Sequence, residues 1–135
     1  MKMPHDMDPL LFAPCGMHCL VCYRYLKPKK PCGGCRFHDA GKPAHCRSCK
    51  IKDCVQEKGL AFCYDCDEFP CKPIKSLDKS YASRYGASLV ANSKMVQTAG
   101  IPVFLDKQRV TFTCRICGGV ISLHDRTCSE CDTKA

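Results

Sequence analysis

The sequence predicts a small metal-stabilised protein, mainly α with little β. It should combine an irregular cysteine-rich multi-metal module, a short helical segment and a C-terminal β zinc ribbon. Three observations predict this. Cysteine makes up 15 of 135 residues, mostly in Cys-x-x-Cys pairs. Leu, Ile, Val and Phe together number only 27, near the lower edge for a chain that folds on an apolar core alone. The cysteines also fall into two territories, Cys15 to Cys71 and Cys114 to Cys131, with none from Lys72 to Thr113. The expected divisions are 1–73, 74–108 and 109–135.

Disulfides and metal thiolates compete to explain so many cysteines. The opening Met1–Pro9 has two prolines and no apolar run, so it does not read as a signal peptide. No stretch approaches the roughly 18 to 20 apolar residues of a membrane span. An odd cysteine count would also strand one thiol in a fully disulfide-bonded chain. The expectation is a soluble cytoplasmic protein, without membrane contact, whose cysteines bind metal. Lys and Arg outnumber Asp and Glu by 21 to 13, a formal charge of +8. Fifteen ligating thiolates and four divalent ions would bring that to about +1, so bulk charge argues little for a nucleic-acid partner.

In the first module, Cys19-x-x-Cys22 and Cys32-Gly-Gly-Cys35 form one candidate tetrahedral set. Cys46-x-x-Cys49 with Cys54, and Cys63-x-x-Cys66 with Cys71, repeat with a period of 17 residues. Both copies should bind metal, separately or with interleaved ligands. With Cys15 the module offers eleven thiols, one short of three four-coordinate sites. His45, beside Cys46, is the preferred twelfth ligand, ahead of His18 and His38; the competing reading of each is an ordinary exposed side chain. The triplet Cys15-x3-Cys19-x2-Cys22 has the spacing of radical S-adenosylmethionine enzymes. The strand–helix alternation of their barrel is missing, however, and Val21 stands where they usually place an aromatic. Iron–sulfur ligation stays open on the same thiolates, with [4Fe–4S] in this module as the alternative to zinc. Regular structure here should be brief: two helical turns over Lys50–Lys58, before Gly59.

The helical segment follows Pro70 and Pro73. Ile74, Leu77, Tyr81 and Tyr85 recur at spacings of three and four and predict an amphipathic helix ending near Gly86. Ser88 can cap a second helix, carrying Leu89, Val90, Met95 and Val96 and closing at Gly100. These two helices are expected to form the only conventional apolar core. From Val110 the period changes to two, with Val110 and Phe112 alternating with Thr111 and Thr113, and again over Val120 to Leu123. That predicts two short strands around a metal knuckle.

The knuckle carries the sharpest motif. Cys114-x-x-Cys117-Gly-Gly and Cys128-x-x-Cys131 can place four sulfurs about 2.3 Å from one Zn²⁺. His124, between the pairs, reads as a surface residue because the thiolates already fill the site. A basic, aromatic loop lies between Cys22 and Cys32. Tyr23 and Tyr25 could stack on bases while Arg24, Lys27, Lys29 and Lys30 follow phosphates; the plainer reading is a solvated loop with its tyrosines on the core.

The order of these motifs resembles a prokaryotic family, catalogued as domain of unknown function 3795. The matching features are Pro14-Cys15-Gly16 with Cys19 and Cys22, Cys32-Gly-Gly-Cys35-Arg36, then Cys46, Cys49 and Cys54. Glu57–Leu60, Cys63, Cys66 and Glu68-Phe69-Pro70-Cys71 follow. Beyond them come Tyr81-x3-Tyr85-Gly86 and the segment from Cys114 through His124 to Cys131. The resemblance implies zinc binding and cytosolic residence, and supplies no reaction.

No Ser/His/Asp set, catalytic carboxylate pair or phosphate-binding glycine loop is evident, and Asp65, Asp67 and Glu68 read as a solvated acidic turn. No catalytic residue is therefore assigned. The expected function is a zinc-binding protein with about four ions per chain, mainly structural, scaffolding loops that meet a protein partner. An iron–sulfur electron-transfer protein is the alternative, and nucleic-acid binding through the Tyr23–Lys30 loop a further one.

Overall fold

Each helix boundary answers to a local signal. In the computed structural model, which describes residues 1–36, 41–42, 46 and 49–134, helix α1 runs Lys50–Glu57. Gly59, at φ +66°, ends it by letting the chain reverse. The Leu60 N–H then donates to Val55 O at 2.8 Å and the Gly59 N–H to Gln56 O at 3.2 Å, satisfying carbonyls that the helix leaves open. Helix α2, Lys72–Tyr85, starts with Pro73 in its first turn and closes on left-handed Gly86. Helix α3, Leu89–Ala99, is capped by Ser88, whose Oγ accepts the Ala91 N–H at 3.1 Å. Asp78 of α2 reinforces that start, because its Oδ1 accepts from Ser88 Oγ and from the Val90 N–H. These three helices lie where the periodicity and capping residues place them.

Helix α4, Ile101–Phe112, corrects the first expected strand. Gly100 at φ +92° turns the chain and Pro102 fits the first helical turn. Phe104, Gln108 and Phe112 are buried at spacings of four, a helical stripe that outweighs the β-branched Val110-Thr111 pair. In a strand, Val110 and Phe112 would share a face. Here Val110 is 83% exposed and Phe112 only 5%.

The predicted β ribbon is also corrected. Among the described residues no strand forms. The C-terminal segment instead makes isolated antiparallel bridges, Thr113 to Val120, Ile121 to Cys128 and Thr127 to Lys134. Two tight cysteine turns consume the residues that longer strands would need. Residues 1–3 lie alongside, with the Val120 N–H donating to Met1 O and the Met3 N–H to Gly118 O.

The core is wider than two helices. Met7, Leu11, Met17, Leu20 and Val21 pack with Leu89 of α3, Phe112 of α4 and Val120, Ile121 and Leu123 of the C-terminal segment. A second cluster joins Phe12 to Val96 and Phe104, and a third joins Val55, Cys63 and Ile74. Each fully buried large side chain contributes about 1.5–3 kcal/mol. The loops of the cysteine-rich segment, shaped by 3-10 turns at Pro9–Leu11, Cys19–Val21 and Cys63–Asp65, thus share one interior with the helices. No helix among the described residues is long and apolar enough to cross a membrane.

Candidate metal centre

All fifteen cysteines are free thiols. The four at the C-terminus converge: the Sγ atoms of Cys114, Cys117, Cys128 and Cys131 all lie within 4.8 Å of one another. Cys114 and Cys131 are 3.8 Å apart, and Cys117 and Cys128 3.5 Å. Sulfurs around a tetrahedral ion with 2.3 Å bonds stand about 3.8 Å apart. The spacing fits a metal and is far too long for a disulfide.

Local backbone explains the convergence. The two Cys-x-x-Cys turns repeat one hydrogen-bond scheme. The Gly118 N–H donates to Cys114 O at 2.9 Å and the Asp132 N–H to Cys128 O at 3.1 Å; the Cys114 N–H donates to Gly119 O and the Cys128 N–H to Thr133 O. Gly118 and Asp132, at the same place in each turn, have φ of +76° and +58°. The turns aim N–H groups at sulfur: Gly119 at Cys117 Sγ and Glu130 at Cys128 Sγ, both 3.4 Å. Donors of this kind favour thiolates. The Thr133 hydroxyl, 3.2 Å from Cys131 Sγ, and its N–H pull the Cys131 thiol down to about 6. The N–H groups of Cys117 and Ile116 lower Cys114. Cys117 keeps the Gly119 N–H but is pushed up to about 11 by burial and by the neighbouring thiols. Four converging sulfurs with N–H donors aimed at two of them could hold a metal ion.

The N-terminal thiols are placed differently. Cys15, Cys19, Cys22, Cys32, Cys35, Cys46 and Cys49 line one cavity of about 450 Å³. Burial, then the Cys35 thiol, raises Cys15. Burial pushes Cys22 up to about 11, against the N–H groups of Arg24 and Tyr25. Burial, then Cys35 and Cys32, pushes Cys46 up to about 11, and the Cys19 thiol followed by burial raises Cys35. Cys63 is pushed up to about 12 by burial and then by Cys71 and Cys54, with Cys66 also acting on it. Lys58 reaches into this last group, its Nζ donating to Cys66 Sγ at 3.3 Å. That contact raises the Lys58 pKa, with Cys54 adding to it.

A family model described as Protein of unknown function (DUF3795) matches residues 11–76. Residues 11–76 belong to that family. No curated protein and no solved structure matches the chain. The DUF3795 segment holds the eleven cysteines of the first territory, and the C-terminal four lie beyond it.

The other candidate residues divide. His18 is buried in the core, not in the cysteine cavity. Its Nδ1 pairs with Gln108 Oε1 at 3.3 Å and its ring meets Phe104 edge-on. Burial lowers its pKa to about 4. His38 and His45 lie outside the described residues. In the basic loop, Tyr25 packs on the core and Arg24 Nη2 donates to Gly41 O, while Lys27, Lys29 and Lys30 are exposed.

His124 is not a simple surface residue. Half-buried among Tyr23, Tyr81 and Tyr85, it borders the cysteine cavity. The Tyr23 N–H donates to its Nδ1 at 3.4 Å, so Nε2 carries the proton and donates to Tyr81 Oη at 3.1 Å. Burial lowers its pKa and holds the ring neutral. Only tertiary proximity reveals this cluster; the spacing of two tyrosines on α2, at 81 and 85, was the single cue in the sequence.

Proposed function

We propose that the chain is a zinc protein whose closed thiolate sites hold a binding surface for an acidic, apolar segment of a partner protein. The C-terminal tetrathiolate carries this reading. Cys114, Cys117, Cys128 and Cys131 would hold one Zn²⁺, which supplies a crosslink on the order of 10 kcal/mol in small zinc peptides. Four sulfurs leave no open position, so the role is structural rather than catalytic. Cys63 and Cys71 pack in or against the third apolar cluster and Cys54 and Cys66 act on the Cys63 thiol, so these four are the candidates for a second ion. Among the described residues, however, their sulfurs do not converge as the C-terminal four do.

The surface lies against the C-terminal site. A groove of about 540 Å³ is lined by Val110, Ile116 and Ile121 together with Arg115, Arg126 and Lys134, and no acidic side chain lines it. Val110 and Ile116 are 83% and 72% exposed, a large display for two aliphatic side chains only six positions apart. Because Ile116 sits inside the Cys114–Cys117 turn, metal fixes its position. Apolar contact with three flanking cations suits a partner segment bearing Leu or Phe among Glu and Asp.

A fluorescein-labelled peptide alternating Leu and Phe with Glu provides the test, by anisotropy against zinc-loaded protein. Micromolar binding that weakens at least tenfold in Ile116→Glu, and disappears on chelation, is the expected result. Equal binding by wild type and I116E would contradict the groove. Binding of a fifteen-nucleotide oligothymidylate instead of the peptide, falling steeply with salt, would replace this reading with a nucleic-acid interface.

A further inference from the structure

The four sulfurs of the C-terminal site are unequally protected. Of the two exposed thiols, Cys54 and Cys131, only Cys131 belongs to the set whose sulfurs converge. Cys114 and Cys128 are 6% and 0% exposed, and Cys117 is half-buried. The N–H groups of Gly119 and Glu130 cover Cys117 Sγ and Cys128 Sγ at 3.4 Å. Cys131 Sγ instead meets the Thr133 hydroxyl at 3.2 Å, and Cys114 Sγ stands 3.8 Å from it. An accessible thiol with a second cysteine beside it is the arrangement in which oxidation ends in a disulfide. The same pair stands at the groove, because Cys114 and Thr133 line it together with Ile116. Joining the two sulfurs would close their 3.8 Å gap to about 2.0 Å. It would also take two of the four ligands from a site that needs all of them, so the turn carrying Ile116 would lose its anchor.

We propose that the C-terminal cysteines are a peroxide-responsive switch for the groove beside them, in which Cys131 is oxidised first and Cys114 closes a disulfide onto it. The inference adds regulation to the proposed function and rests on that reading. With hydrogen peroxide the step balances as follows. The Cys131 thiolate attacks one peroxide oxygen; an S–O bond forms, the O–O bond breaks and hydroxide leaves. The Cys114 thiolate then displaces a second hydroxide from the Cys131 sulfenic acid as the S–S bond forms. Each sulfur gives up one electron, and the pair of electrons reduces the peroxide. A dithiol reductant reverses the change by thiol–disulfide exchange, which would let the site take up metal and rebuild the groove. The Cys117 and Cys128 sulfurs, 3.5 Å apart, are left as thiols in this first step because burial and their N–H donors keep the oxidant from them.

The zinc-loaded whole chain, treated with a small excess of hydrogen peroxide and then alkylated, provides the test. Peptide mapping by mass spectrometry should find the Cys114–Cys131 disulfide as the first C-terminal product, with zinc released alongside it. Affinity for the peptide alternating Leu and Phe with Glu should fall at least tenfold, and dithiothreitol with added zinc should restore it. Cys131→His keeps four ligands, since three cysteines and a histidine also make a structural zinc site, but lacks the exposed thiol. Its peptide affinity should be the same before and after peroxide. A first C-terminal disulfide between Cys117 and Cys128, or undiminished peptide binding once Cys114 and Cys131 are joined, would overturn the switch. The wild-type map decides this even if Cys131→His fails to fold. Failure of the untreated protein to bind the peptide would instead overturn the groove reading, while the disulfide map and zinc release still decide the order of oxidation.

Discussion

Replacing Gly16 with alanine probes how the first cysteine loop is docked. Gly16 has φ of +102°, and a Cβ there would lie 2.3 Å from Leu89 O, 2.7 Å from Ser93 Oγ and 3.0 Å from the Leu89 carbonyl carbon. The obstacle is mostly backbone at the start of α3, and Leu89 is only 1% exposed. The contact also carries hydrogen bonds: the Gly16 N–H donates to Ala13 O, and Asn92 Nδ2 donates to Gly16 O at 3.0 Å. The strained dihedral should cost about 1–3 kcal/mol, and overpacking against the helix about 1–3 kcal/mol more. Gly59→Ala is the control, since Gly59 has φ of +66° with no atom within 4 Å of a Cβ; it should show the dihedral cost alone, about 1–2 kcal/mol. Urea unfolding of both zinc-loaded variants measures the difference. A loss in Gly16→Ala no greater than in Gly59→Ala would refute the close approach.

Two predictions concern the tyrosine-bound histidine. Tyr81→Phe removes the hydroxyl that accepts from His124 Nε2 and should cost about 0.5–1.5 kcal/mol in thermal or urea unfolding; an unchanged midpoint would mean that the hydrogen bond does not form in solution. Burial depresses the His124 pKa below its ordinary 6.5. The unfolded chain therefore takes up this proton first as pH falls, so the stability due to the neutral ring is present above pH 6.5 and lost below it. His124→Gln should show a shallower decline over that window at equal zinc saturation. A steeper one would show that the ring is charged in the folded state.

Local punctuation made much of the fold legible. Gly59, Gly86, Ser88 and Gly100 each mark a helix end in the sequence, and each does so in the structure. Helix α4 was hidden because Val110-Thr111-Phe112-Thr113 alternates like a strand. The burial that decides for helix comes from Phe104 and Gln108, earlier in the chain. The convergence of the C-terminal four cysteines was legible from spacing alone, but their turns close so tightly that only single bridges remain of the expected ribbon. That seven cysteines line one cavity was not legible, since pair spacing says nothing about which pairs meet in space. Nor was the environment of His124, whose hydrogen-bond partners lie 43 and 101 residues away.

The central claim is that sulfur–metal bonds set the shape of this chain beyond what its apolar clusters can do. Stepwise anaerobic chelation, followed together by native mass spectrometry and far-ultraviolet circular dichroism, tests it most directly. About four zinc ions per chain and a loss of helical signal in step with their removal are the expected result. A chain stripped of metal that keeps its full helical spectrum would contradict it.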